Sequence, residues 1–158
     1  MVSDTIANKG RPAQVLLVED NFGDALLTRK AFESGTVPTQ ISVADSGQKA
    51  LAMLHQEGEY AGLPLPDLVL LDINLPGMSG MEVLNDIKSD SRTQHIPVVI
   101  MTSSRAEMDV ARSYSLHANS YIIKPSSLDH LAEVVRTIEK FWFSLAVYPD
   151  YDAGRGAR

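Results

Sequence analysis

Charged side chains follow apolar segments at three places in this sequence. Asp72 comes directly after the apolar run Leu68–Leu71. Glu19 and Asp20 follow a second apolar run, and Lys124 follows a third. Because a run without alternation is typical of a strand buried on both faces of a parallel sheet, these side chains should gather at the carboxyl ends of strands, where open α/β sheets build their sites. Three carboxylates and one ammonium group at that edge suit a hard metal ion and a phosphoryl group.

The three acidic residues are of the type that binds Mg²⁺, which takes oxygen ligands from one or two carboxylates together with phosphate oxygens. The backbone carbonyl of Asn74 would add a further oxygen near Asp72. Crowded carboxylates repel one another, but with a metal ion in place Asp72 can be an ionised nucleophile toward phosphorus. Lys124 would then pair with a phosphoryl oxygen. Each feature alone has an ordinary structural explanation, so the prediction depends on their occurrence together.

Strand and helix patterns alternate five times along the chain. The segment 40–44 alternates polar and apolar residues, which predicts an edge strand. Repeated strand–helix units imply a parallel sheet with right-handed crossovers, and five of them predict a doubly wound α/β fold with helices on both faces. The predicted strands are Gln14–Val18, Gln40–Ala44, Leu68–Leu71, Val98–Met101 and Ser120–Ile123.

Apolar positions between the strands predict the helices. A third helix should cover about 80–89 and a fourth about 105–116. The first two helices are marked by the stripes Phe22, Ala25, Leu26 and Phe32, and Ala50, Leu51 and Leu54.

The last helix carries more apolar surface than one sheet can cover. A stripe at helical spacing predicts packing on the sheet, and Val134, Phe141 and Phe143 lie off it. The simplest explanation is a long helix whose end folds back on the core, but the surplus aromatics Phe141, Trp142 and Phe143 favour a self-association face. The stripe consists of Leu128, Leu131, Val135, Ile138, Trp142 and Leu145.

Composition limits the classes of function. The chain has 158 residues, a net charge of −6 and no cysteine. The absence of cysteine excludes disulfides and thiolate metal sites. The negative net charge argues against direct binding of nucleic acid. We predict one domain over residues 13–146, with a flexible tail at 1–12 and another at 147–158. With no apolar stretch near the length of a membrane span and no signal peptide, a cytoplasmic protein is expected.

The combined pattern resembles the receiver domain of two-component response regulators over residues 13–142. By position, Asp72 matches the phosphoacceptor of that family. Asp20 matches the direct Mg²⁺ ligand, Glu19 the ligand that acts through water, and Asn74 the residue that lends its backbone carbonyl. The resemblance implies a flavodoxin-like fold with strand order 2-1-3-4-5 and phosphoryl transfer from a histidine kinase to Asp72.

The resemblance also assigns a switch. Thr102 matches the hydroxyl that turns toward the phosphoryl group, Tyr121 the aromatic that moves with it, and Lys124 the invariant lysine, whose bond to Pro125 is usually cis in the family. Together they would couple phosphorylation to the surface formed by helix 4, strand 5 and helix 5. The protein would act as a stand-alone receiver that passes the phosphoryl group to another protein or binds a target. The long loop Glu57–Pro66 and the aromatic ending Phe141–Phe143 resemble those of the small regulators of bacterial phytochrome kinases, where the C-terminal segment helps to form a homodimer.

Two other classes of function remain open. A haloacid-dehalogenase-like phosphatase also places a nucleophilic aspartate after a strand, but it needs a second acid where this chain has Asn74. A phosphorylation-independent binding module, such as a flavodoxin-like cofactor domain, needs a phosphate-cradling loop after the first strand. The segment 21–24 is acidic and has a single glycine there, which argues against it.

Overall fold

The computed structural model describes residues 5–103, 105–113, 118, 120–144 and 146. Its five strands form one parallel sheet in the order β2-β1-β3-β4-β5. The predicted fold class and strand order are therefore confirmed. The strands are β1 (Ala13–Val18), β2 (Thr39–Ala44), β3 (Leu68–Asp72), β4 (Val98–Thr102) and β5 (Ser120–Ile123).

The central strands are buried, as their unbroken apolar runs predict. Every residue of β3 and β4 is buried, whereas β2 is half-buried along most of its length. The position of β2 at the edge of the sheet explains its alternation, because only one of its sides is paired with another strand.

The described residues form five α-helices, four of which pack in two apolar clusters on the faces of the sheet. One face carries α1 and α5, and the other carries α2 and α3, each with its own apolar cluster. Asn21, Ser46, Ser79 and Ser127 cap the starts of α1, α2, α3 and α5 by accepting a backbone N–H in the first turn. None of the helices in the described ranges is long and apolar enough to cross a membrane. The helices are α1 (Phe22–Glu33), α2 (Gly47–Leu54), α3 (Gly80–Ser89), α4 (Arg105–Ser113) and α5 (Leu128–Ile138).

The apolar stripe predicted for α1 is wrong at two of its four positions. Ala25 and Phe32 are buried, but Phe22 is 83% exposed and Leu26 is also exposed. The buried face of the helix runs through Ala25, Thr28 and Phe32, and the helical repeat turns positions 22 and 26 away from that face.

The end of the last helix also differs from the prediction. After Ile138 the chain continues as a π-helix, Glu139–Phe143, whose wider turn shifts every later side chain relative to an α-helical stripe. As a result Phe143 is fully buried, Trp142 is half-buried and Phe141 is 51% exposed. The expectation that Phe143 lies on a partner face is therefore wrong. The predicted stripe position Leu145 lies outside the described residues.

The π-helix buries a carboxylate beside the turn that follows α1. The Glu139 side chain is almost fully buried, and its Oε2 accepts the backbone N–H of Val37 at 2.7 Å. The other oxygen, Oε1, has no hydrogen-bond partner. The same carboxylate occupies the space that a Cβ would need at Gly35, so a larger residue there would have to displace the buried Glu139 carboxylate.

Part of the predicted N-terminal tail packs on the domain. Ile6 lies in a short 3₁₀-helix, Ile6–Asn8, and is buried with the apolar cluster of the α1–α5 face. Arg11 makes two hydrogen bonds to the Asp67 carboxylate, at 2.7 and 2.9 Å. A flexible tail over all of 1–12 is therefore wrong for this part, while residues 1–4 and 147–158 lie outside the described residues. The domain boundaries stay a prediction.

Candidate functional site

The sheet holds the predicted site residues at one edge. Asp72 is the last residue of β3 and pairs with Met101 of β4, one residue before Thr102. The backbone N–H of Glu19 donates to Ala44 at 3.0 Å, and the backbone N–H of Lys124 donates to Thr102 at 2.6 Å. Because these bonds continue the pairing beyond the strand ends, the side chains at the edge have little freedom to move apart.

Three carboxylates converge at this edge. Oxygen atoms of Glu19, Asp20 and Asp72 all lie within 4.8 Å of one another. Glu19 and Asp72 are buried, whereas Asp20 is exposed. The backbone N–H of Asn74 donates to Asp72 Oδ1 at 2.9 Å, which fixes the orientation of the Asp72 carboxylate.

The residues fit a divalent cation. Burial and the neighbouring Asp72 raise the pKa of Glu19 to about 9, although Lys124 acts in the opposite direction. Glu19 Oε2 is buried and has no hydrogen-bond partner. An Mg²⁺ ion would neutralise the crowded carboxylates and provide an electrostatic partner for that oxygen, directly or through a water.

Lys124 is surrounded by carboxylates. Its Nζ lies 2.5 Å from Glu19 Oε1, 2.9 Å from Asp24 Oδ2 and 3.3 Å from Asp72 Oδ2. Burial works to lower the pKa of Lys124, but the hydrogen bonds to Glu19 and Asp24 outweigh it, and the pKa lies above its ordinary value. The same contact holds the pKa of Asp24 below its usual range. The lysine is therefore a firmly protonated cation.

The peptide bond between Lys124 and Pro125 is trans, as are the other described peptide bonds. The expected cis bond is therefore wrong for this structure, which adopts the form that is also favoured for proline in general.

Glu107 joins the two loops that flank the site. Its Oε1 accepts the side-chain N–H of Asn74 at 2.7 Å, and its Oε2 accepts the backbone N–H of Ser103 at 3.0 Å. Since Glu107 belongs to the first turn of α4, this side chain connects the loop after β3 and the loop after β4 to one helix.

The two predicted switch residues lie at different depths. Thr102 is fully buried at the end of β4. Tyr121 is half-buried and packs against the apolar cluster of the α2–α3 face. Their roles as a switch stay a prediction.

Sequence reasoning did not assign Asp24 and Glu107 to the site. Asp24 lies three residues after the helix cap Asn21, and that spacing places it in the first turn of α1 beside the strand ends. Glu107 gives no comparable signal, because its position depends on where α4 begins relative to two loops.

The predicted partner face borders an open groove. A cavity of about 700 Å³ lies between β5 and α5. Phe141 and Trp142 line it and pack edge to face, with ring centroids 4.8 Å apart. Apolar residues of the strand and helix, including Ile122 and Val134, complete the wall.

Comparisons with known proteins agree with this geometry. The family model for the response regulator receiver domain matches residues 15–136. The response regulator Rcp1 of Synechocystis sp. is 41% identical over 138 residues, which cover 87% of this chain and 94% of Rcp1.

Solved structures show the same likeness. The phosphorylated cyanobacterial phytochrome response regulator RcpA is 45% identical, with a TM-score of 0.81 over 89% of this chain and 100% of that one. The Mn²⁺-bound form of Rcp1 is 40% identical, with a TM-score of 0.77 over 87% of this chain and 99% of that one.

Proposed function

Since this chain belongs to the response regulator receiver domain family, we propose that Asp72 accepts a phosphoryl group from a histidine kinase. The observation that carries the proposal is the arrangement at the sheet edge, where Asp72 lies beside two further carboxylates and the Lys124 ammonium group. A carboxylate nucleophile, acidic side chains for a cation and a fixed positive charge are the parts that phosphoryl transfer requires.

Residues of the chain orient the Asp72 carboxylate and stabilise the charge on the phosphoryl group. Asn74 holds one Asp72 oxygen through its backbone N–H, and the other oxygen faces Lys124. Attack by Asp72 on phosphorus forms an acyl phosphate as the bond from phosphorus to the kinase imidazole nitrogen breaks, and that nitrogen keeps the electron pair. Lys124 stabilises negative charge on the phosphoryl oxygens. Glu19 and Asp20, with the Asn74 carbonyl, would hold Mg²⁺, which when bound screens the charge between the carboxylates and the phosphoryl oxygens.

The partner is proposed from the relatives. RcpA is described as a cyanobacterial phytochrome response regulator, and a further neighbour, AtBRR, as a bacteriophytochrome response regulator. We therefore propose that a phytochrome-type kinase phosphorylates this protein. We place this reaction in the cytoplasm, where the signal would pass to a downstream phosphotransfer or target protein. A phytochrome-type kinase should phosphorylate it faster than an unrelated histidine kinase does.

Phosphorylation would be read out through Thr102, Tyr121 and the surface formed by α4, β5 and α5. The added charge and acceptor oxygens at Asp72 attract groups in the neighbouring loops, and Thr102 lies one strand away on β4. Glu107 links those loops to α4, so a movement of either loop reaches the helix directly.

A homodimer is the second part of the proposal. The groove between β5 and α5 exposes Phe141 and leaves Trp142 half-buried, and burying such apolar surface favours association. Phe141→Ser should shift a dimer toward monomer in sedimentation equilibrium, whereas the neighbouring exposed change Lys140→Ser should not. An unchanged association constant in Phe141→Ser would remove this residue from the interface.

The test of phosphorylation uses acetyl phosphate with Mg²⁺ and detection by intact mass. Wild type should gain the mass of one phosphoryl group in an adduct that is stable to acid and labile to base. Asp72→Asn should gain none, while the exposed-site change Asp129→Asn in α5 should behave as wild type.

The metal is tested without phosphorylation. Mg²⁺ at one hundred times its dissociation constant should stabilise the folded protein by about 2.7 kcal/mol, and Asp20→Asn should lose most of that gain. Bound Mg²⁺ without any adduct from acetyl phosphate or kinase would contradict the phosphoacceptor role. Many turnovers of a general phosphatase substrate would instead indicate an enzyme.

A further inference from the structure

The first turn of α1 places Asp24 against the lysine of the site. The backbone N–H of Asp24 donates to Asn21 Oδ1 at 2.9 Å, and its carbonyl accepts the Thr28 hydroxyl at 2.9 Å. These two bonds fix the backbone of the residue, and its carboxylate accepts a hydrogen bond from Lys124 Nζ at 2.9 Å.

Lys124 has no donor left for a further partner. An ammonium group has three N–H donors, and here they reach Glu19 at 2.5 Å, Asp24 at 2.9 Å and Asp72 at 3.3 Å. Asp72, the proposed phosphoacceptor, has the longest of the three contacts. The positive charge that a phosphoryl group needs is therefore shared with two other carboxylates.

The three carboxylates differ in the cost of releasing the lysine. The Asp24 side chain is 42% exposed, whereas those of Glu19 and Asp72 are 3% and 10% exposed. Water can replace the lysine at an exposed carboxylate with little loss, but a buried carboxylate left without its cation keeps the cost of desolvation. The contact between Lys124 and Asp24 is accordingly the one of the three that costs least to break.

We propose that Asp24 is a positioning residue that holds Lys124 in the unphosphorylated protein and gives it up when Asp72 carries a phosphoryl group. This inference rests on the proposed function. It means that Asp24 opposes the phosphorylated state, because forming the contact between Lys124 and the phosphoryl oxygen requires that the contact with Asp24 weaken.

The experiment measures binding of beryllofluoride, a phosphoryl analogue, to the full chain with Mg²⁺ by fluorine NMR. Asp24→Asn and Asp24→Ser should both bind it roughly two- to fivefold more tightly than wild type, as expected from the loss of one partly exposed ion pair. Asp24→Glu, which keeps the carboxylate, should restore affinity close to wild type.

Asp45 provides a charge-matched control. It follows β2 at the same edge of the sheet, and the described contacts of Lys124 do not include it. Asp45→Asn removes the same charge and should leave the affinity within about 1.5-fold of wild type, well below the expected effect of losing the Lys124 contact.

A second measurement follows the lysine itself. In metal-free protein the NMR signal of the Lys124 ammonium group, identified by its loss in Lys124→Arg, should shift in Asp24→Asn and stay in place in Asp45→Asn. Equal or weaker beryllofluoride binding in the Asp24 variants, or equal tightening in Asp45→Asn, would overturn the positioning role. Failure of wild type to bind beryllofluoride or to take up a phosphoryl group would instead remove the proposed function, and this inference with it.

Discussion

Glu19 and Glu139 are both almost fully buried, and each leaves one carboxylate oxygen without a hydrogen-bond partner. Glu19 directly follows β1, faces the Lys124 ammonium group and lies beside two further carboxylates. Glu139 begins a π-helix, accepts a backbone N–H and lies against Gly35. Burial of a carboxylate therefore does not mark a reactive site by itself. The surrounding charges make the first glutamate part of a site, while the second ties the last helix to the turn after α1.

The largest expected effect tests the packing around Glu139. Phe143 is fully buried in the next turn, whereas Phe141 is 51% exposed. Phe143→Ala should lower the free energy of unfolding by about 3–5 kcal/mol, because it removes a buried ring and leaves a cavity. Phe141→Ala, the same change at an exposed position, should cost less than about 1 kcal/mol. Urea denaturation of the two variants measures the difference, and equal costs would contradict the register given by the π-helix.

Gly80, beside the site, can be compared with Gly35, which lies against the Glu139 side chain. A Cβ at Gly80 would meet the backbone carbonyl oxygen and carbonyl carbon of Asp72 and the Cα of Ile73, atoms that cannot turn aside as a side chain can. Gly80→Ala should destabilise the protein by about 1–3 kcal/mol and slow phosphoryl uptake by displacing Asp72. Gly62→Ala, with no atom within 4 Å of the added carbon, is the control and should be nearly neutral. A Gly80→Ala protein with wild-type melting temperature and uptake would show that this contact is not limiting.

The pH dependence of stability should distinguish the site from the rest of the molecule. The pKa of Glu19 is raised from 4.5 to about 9, so between these values the folded protein holds a proton that the unfolded chain has released. Stability from this group is therefore present below pH 4.5 and is lost as pH rises toward 9. In metal-free protein, the free energy of unfolding of Glu19→Gln should rise relative to that of wild type by about 1 kcal/mol between pH 6 and pH 7. A constant difference across that range would mean that Glu19 is ionised throughout, and Mg²⁺ should reduce the slope in wild type alone.

The smallest expected effect concerns Phe22, which follows the site directly in sequence. Because this ring is 83% exposed, Phe22→Ser should change the free energy of unfolding by no more than about 0.5 kcal/mol. The buried Phe32 of the same helix is the matched comparison, and Phe32→Ser should be severely destabilising. A large loss in Phe22→Ser, measured by thermal unfolding, would restore the stripe that the sequence predicts.

The sequence predicts the sheet and the convergence at its edge well, because both depend on strand register. Leu71 pairs with Val18 and with Ile100, so once these apolar runs are strands, the residues that follow them must meet. Local periodicity carries that information, and the order of the strands follows from the family resemblance.

The last helix could not be predicted in the same way. Its stripe assumes a constant α-helical repeat, and the π-helix at Glu139–Phe143 breaks that repeat. Nothing in the local sequence shows that Glu139 will accept a hydrogen bond from Val37, because that contact depends on a turn far away along the chain. Asp24 could be predicted in part. The capping pattern indicates where its helix begins, but it does not show the contact with Lys124.

The hydrogen bond from Val37 to Glu139 joins residues 102 positions apart, and the family match ends at residue 136, before its acceptor. Synthesis on the ribosome proceeds from the N-terminus, so the turn after α1 emerges long before the glutamate that completes it. The β1–β3 core and the α2–α3 face have most of their partners early, whereas the α1–α5 face waits for nearly the whole polypeptide. A receiver chain that ended before Glu139 would thus carry every group of its phosphorylation site and still lack the hydrogen bond that connects its last helix to the turn after α1.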